Sequence, residues 1–171
     1  MQNEGLRTTI QTMLFEGKND EEIVMKAVEK AFGFQTEPAT RTEDMKKHID
    51  FFIIKDGKRY GIDVKGVKRG NRNSTKDEEI HWIEFKNVRG DDGWLYGDAV
   101  CIAFMTNSSV LFVSRKKLAD YAEEKKKGKE LVYGTAPSDF YIPYQRKNRK
   151  DETIKVPTSD LRALAKYEIP L

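Results

Sequence analysis

The chain has 171 residues, of which 38% are hydrophobic, 35% charged and 11% aromatic, with a net charge of +3 at pH 7. That is enough chain for one domain whose core needs no disulfide or structural metal, and too aromatic a composition for a disordered segment. The single cysteine, Cys101, excludes an internal disulfide and cysteine zinc sites, while the absence of a signal core or of roughly 20 consecutive apolar residues points to a soluble, cytoplasmic protein in a reducing compartment.

Leu6, Ile10, Met13 and Leu14 have helical spacing, with a break at residues 16–19. A clearer helix follows: Asn19 or Asp20 caps it, and Ile23, Val24, Ala27, Val28, Ala31 and Phe32 form an apolar stripe that Gly33 ends and that should pack on a sheet. Residues 35–44, with Pro38, read as a short edge strand and a loop. The runs 48–54 and 58–65 then alternate around Asp56-Gly57, a two-residue hairpin signal.

With Lys55 facing Lys58, the register pairs Ile53 with Tyr60, Phe51 with Ile62 and Ile49 with Val64 on one face. Phe52 with Gly61, Asp50 with Asp63 and His48 with Lys65 share the other. Two carboxylates opposed at about 5 Å repel by on the order of 3 kcal/mol at an effective dielectric near 20. Stability alone does not select such a pair. A divalent cation reverses the sign, because Mg²⁺ takes one or two carboxylates together with waters and phosphate oxygens. Lys65, on the same face, can orient a nucleophilic water and offset charge on a phosphate.

Asp50 and the run Asp63-Val64-Lys65 resemble the paired half-motifs of the PD-(D/E)xK nuclease superfamily, which includes restriction endonucleases, Holliday junction resolvases and phage nucleases. Ile49 stands where the family name has proline, and the second acid is Asp rather than the commoner Glu. The resemblance implies that Asp50, Asp63 and the Val64 carbonyl bind Mg²⁺ or Mn²⁺ and that Lys65 serves the attacking water. It also implies an additional acid from a helix before the hairpin. Of the local candidates Glu21, Glu22 and Glu29, the helical wheel favours Glu21, which flanks the apolar stripe.

Residues 66–79 form a polar loop from which Lys68, Arg69 and Arg72 can contact a phosphate backbone. The stretch 80–88 reads as a strand with Trp82, Glu84 and Lys86 on one face and His81, Ile83, Phe85 and Asn87 on the other. Glu84-Phe85-Lys86 competes with the catalytic half-motif or supplies a third acid; the alternative is a cross-strand Glu and Lys pair with Trp82 in the core. Residues 82–97 also resemble uncharacterised phage proteins of this nuclease type, in the positions of Trp, Glu and Asn before a Gly-Trp turn.

Residues 99–105 and 110–114 read as buried strands, with Cys101 a buried thiol, and Ser114 caps a helix carrying Leu118, Tyr121 and Ala122. Basic clusters recur at 115–117, 125–129 and 146–150. In the last, Arg146, Lys147 and Arg149 follow Tyr141 and Tyr144 in a pattern suited to phosphate contact and base stacking. A short helix begins at residues 157–160.

The expectation is therefore a single α/β nuclease-like domain over residues 1–171, with a restriction endonuclease-like mixed β-sheet flanked by helices. Its expected activity is metal-dependent endonucleolytic cleavage of DNA, with RNA as the alternative substrate, no membrane partner, and a homodimer as many proteins of the resembled type form. The competing expectation is a module that kept the nuclease fold without the chemistry and binds nucleic acid or a protein.

Overall fold

The apolar stripe at Val24, Ala27 and Val28 is buried along helix α1 (20–32), which ends where the Gly33 N–H donates to Glu29 O at 2.9 Å. The computed structural model describes residues 20–69 and 74–171; the expected helix at Leu6–Leu14, the capping residue Asn19 and the phosphate contact Arg72 lie outside the described residues. Strand β1 (Gln35–Pro38) lies at a sheet edge against β2 (Phe51–Lys55), where Pro38 forfeits no central ladder bond.

The expected loop before the hairpin is instead helix α2 (Arg41–Lys47). Thr40 caps it: its hydroxyl accepts the Glu43 N–H at 3.3 Å while Glu43 Oε2 accepts the Thr40 N–H at 2.9 Å. No residue of α2 is buried, so no apolar stripe marked it. Its signal was the Thr-x-x-Glu capping box.

Strands β2 and β3 (Lys58–Lys65) form the expected hairpin in the expected register, with Phe51 opposite Ile62, Ile53 opposite Tyr60 and Lys55 opposite Lys58. Asp56 and Gly57 both have positive φ, 52° and 72°, as a type I′ turn requires. The pattern departs from expectation at the far end. His48 does not stand opposite Lys65; it closes α2 in the left-handed region, with φ 53°. Ile49 does not join the face of Phe51 but folds over Gly61, where a Cβ would lie 2.7 Å from Ile49 Cδ1. The missing side chain at Gly61 makes the room that draws Ile49 across.

β3 pairs in parallel with β5 (Cys101–Met105), which pairs antiparallel with β6 (Ser109–Ser114), and β10 (Tyr167–Pro170) completes a mixed six-stranded sheet in the order β1-β2-β3-β5-β6-β10. A second sheet has the order β4-β9-β8-β7, with β4 at Ile80–Lys86, β7 at Val132–Gly134, β8 at Tyr144–Arg146 and β9 at Glu152–Pro157. Helix α3 (Arg115–Lys126) starts at Ser114 as expected, and α4 is Thr158–Leu164. No helix among the described residues is long and apolar enough to cross a membrane.

The six-stranded sheet separates two cores. Phe51, Ile62, Ala103 and Phe112 pack against α1. Phe52, Ile102, Phe104 and Val113 pack on the other side against Ile83 and Phe85 of β4, Ile154 and Val156 of β9, and Leu118 of α3. Asp63 and Lys65 pair with Ile102 and Phe104 in the parallel ladder and so point into the second of these layers.

Loss of the α2 cap isolates its contribution to this arrangement. Thr40→Ala should lower stability by about 1 kcal/mol, read as a lower urea midpoint at unchanged m-value.

Candidate active site

The hairpin brings Asp50 and Asp63 together just beyond the last regular pair of β2. The Asp50 N–H donates to Ile62 O at 2.8 Å, and Asp50 Oδ2 accepts the Val64 N–H at 2.6 Å, so Asp50 straddles Asp63 from both sides. A side-chain carboxylate here takes the place of a backbone carbonyl in the ladder, which pins the Asp50 side chain as β2 begins.

Asp63 is 2% exposed. Burial drives its carboxyl up to about 7; the nearby Lys65 ammonium opposes this, while the charge of Asp50 and a hydrogen bond with it add to the rise. Lys65 Nζ lies 2.6 Å from Asp63 Oδ1 and 4.8 Å from the centre of the Trp94 ring, held between an anion and a π face. Asp63 Oδ2 is buried and, among the described residues, receives no hydrogen bond from a protein donor. That atom faces a second acid in an apolar layer and calls for a proton or a cation.

Asp20, at the start of described α1, also approaches this end of β3: a Cβ on residue 66 would run into its carboxylate. By sequence Asp20 is a capping candidate, and no local signal marks its approach to β3, which depends on how α1 packs on the sheet. Glu84 stands on β4 opposite Thr153, not opposite an acid, and lines a cavity together with Lys65. Among the described residues no three His, Cys, Asp or Glu side chains come together as a metal-ligand set.

The basic clusters divide by what holds them. Arg115 donates to the carbonyls of Ala99 at 2.8 Å and Leu95 at 3.1 Å, and Lys126 bonds Glu152 at 2.8 Å with its ammonium 3.9 Å from the Phe85 ring centre. These serve the fold. Lys68 and Arg69 are exposed where the loop closes on itself through the Arg69 and Lys76 bridge, and they line the same cavity as Lys65. Arg146 is held by buried Asp151, whereas Lys147 and Arg149 stand on the turn beyond it and line the cavity's other side.

Trp82 is half-buried and faces this cavity rather than the core, while His81 is 1% exposed, packs on Phe104 with ring centroids 4.9 Å apart, and has no partner for Nε2 among the described residues. Burial and the charge of Lys68 lower the His81 pKa to about 4. The Cys101 thiol is partly buried, and burial raises it to about 12.

Comparison with protein-family models, with curated proteins and with solved structures finds no match to the chain.

The raised Asp63 carboxyl and the lowered His81 imidazole act oppositely on stability. Folding holds a proton on Asp63, so that stability is lost as pH rises from about 4 to about 7; folding keeps His81 neutral, so that stability is gained from about pH 4 to about 6.5. The wild type should show little net slope from these two groups across most of that window. Asp63→Asn removes only the first effect: its stability relative to wild type should climb from about pH 4 to about pH 7, by on the order of 4 kcal/mol, then level off. Urea denaturation of both proteins across that range in EDTA measures the difference, and a difference independent of pH would contradict the buried-carboxyl assignment.

Proposed function

We propose that the protein is a metal-dependent nuclease of the PD-(D/E)xK type, with a restriction endonuclease-like fold, that hydrolyses phosphodiester bonds in DNA. The observation that carries this reading is the buried, donor-free Oδ2 of Asp63 beside Asp50 and one residue pair from Lys65. Hairpin β2-β3 within a mixed sheet, with α1 packed on one face, supports the same assignment.

The donor set fits a hard divalent cation, since Mg²⁺ is satisfied by one or two carboxylates with water and substrate oxygens completing an octahedron. Asp50 and Asp63 would hold Mg²⁺ or Mn²⁺, with the Val64 carbonyl as a further oxygen. When bound, the ion would lower the pKa of water and polarise a phosphoryl oxygen. The Asp50 carboxylate, fixed by the Val64 N–H, keeps the two acids in register. Lys65 remains 23% exposed while touching Asp63, and so presents positive charge to a phosphate from within the cavity wall.

A second reading follows from the lack of a third acidic ligand among the described residues: a nuclease-like module that binds nucleic acid without cutting it. It entails salt-dependent association and no turnover.

Incubation of plasmid, single-stranded and junction DNA with Mg²⁺, Mn²⁺ or EDTA separates the two. Metal-dependent cleavage is expected, abolished in Asp50→Ala and Asp63→Ala, and slowed by about 10² to 10³ in Lys65→Ala. Mg²⁺ should raise the melting temperature of wild type and Lys65→Ala but not of Asp63→Ala. Undiminished cleavage by purified Asp63→Ala would refute this site.

A further inference from the structure

The cavity beside Lys65 has a volume of about 1130 Å³ and lies between the two sheets. One wall is the end of β3 with Lys65 and Gly66, continued by Lys68 and Arg69. The facing wall is the second sheet, with Trp82 and Glu84 from β4, Tyr144 from β8 and Thr153 from β9. The turn after β8 closes the rim: Asn148 adopts the left-handed region at φ 59° and its N–H donates to the Tyr133 hydroxyl at 3.1 Å, so Lys147 and Arg149 project from an ordered turn.

Two properties of this cavity determine what it can take. Its charge is positive: among the described residues, six cations from both walls and the rim stand against one acid, Glu84. Lys68, Arg69, Lys147 and Arg149 form no ion pair with another described residue, whereas Arg146 is neutralised by Asp151. The second property is its aromatic wall. Alternation along β4 puts Trp82 on the cavity side, away from buried Ile83, and its ring centroid lies 6.0 Å from that of Tyr144 at an interplanar angle of 48°. Neighbouring π faces amid unpaired cations suit unstacked bases on a phosphate backbone.

The aromatic faces decide the form of the nucleic acid. In a duplex the bases stack on one another and their faces are closed to Trp82 and Tyr144, whereas the bases of a single strand can lay open π faces on such a pair.

We infer that the cleft between the two sheets is a binding channel for single-stranded nucleic acid, in which Trp82 and Tyr144 stack bases while Lys68, Arg69, Lys147 and Arg149 hold phosphates. The inference rests on the proposed nuclease reading for placing the reacting phosphate near Asp63, but binding to the channel requires neither metal nor turnover.

The test is equilibrium binding in EDTA of fluorescein-labelled 12-mers: oligothymidylate, oligouridylate, and a blunt DNA duplex of the same length. Single strands should bind at least tenfold more tightly than the duplex, and the two single-stranded arms tell deoxyribose from ribose preference. Trp82→Ala should weaken single-strand binding by about tenfold. The surface variant Lys147→Ala/Arg149→Ala, which removes no core contact, should reduce the slope of log K against log salt by about 1.4. A duplex binding as tightly as the single strands, or wild-type affinity and salt slope in both variants, would overturn the channel. Single-strand preference in EDTA together with undiminished cleavage by Asp63→Ala would leave the channel standing and remove the nuclease site; Asp63-dependent cleavage without that preference would do the reverse.

Discussion

A carboxyl group enclosed in an apolar layer, with a second one beside it, is the constraint around which this molecule is arranged. Asp63 points into the layer between the two sheets, where Ile102, Phe104 and Trp94 exclude water. An ionised carboxylate there would cost several kcal/mol unless compensated. Lys65 compensates one oxygen, and the other faces Asp50 with no donor. The energy that folding spends on this pair creates a place where a proton is strongly favoured, which a solvated pair of acids would not be.

The second sheet turns that pair into a site. The six-stranded sheet alone would leave Asp63 and Lys65 facing water, and their charges would be screened. Packing β4 and β9 over Phe104 and Ile102 removes the water, and the same packing sets Trp82 and Tyr144 opposite the end of β3. The burial that perturbs Asp63 and the aromatic wall of the cleft thus have one origin. Cations divide along the same line: Arg115 and Lys126 bond carbonyls and acids that hold α3 in place, whereas Lys68, Lys147 and Arg149 remain available at the opening.

The parts legible in the sequence were those governed by neighbouring residues. Asp56-Gly57 demands a two-residue turn, the turn sets the register, and the register brings Asp50 to Asp63. The burial alternation of β4 followed from its pattern of side chains. Departures occurred where that local logic met another part of the chain. Ile49 left its expected face because Gly61 offers no side chain to stop it, and His48 became a helix cap because α2, which buries no residue, precedes it. Glu84 faced Thr153 because β4 pairs with β9, a partner about 70 residues away that no turn signal announces.

The sequence by itself determined the hairpin, its register and hence the meeting of two acids and a lysine, because pleat and turn geometry act over only a few residues. Only the tertiary structure decided that Asp63 is buried while Lys65 stays partly open, that Glu84 pairs with Thr153, and which cations line the cleft. Burial and concavity are properties of surfaces brought together from distant segments, and their energetics depend on exclusion of water by residues that no local pattern links.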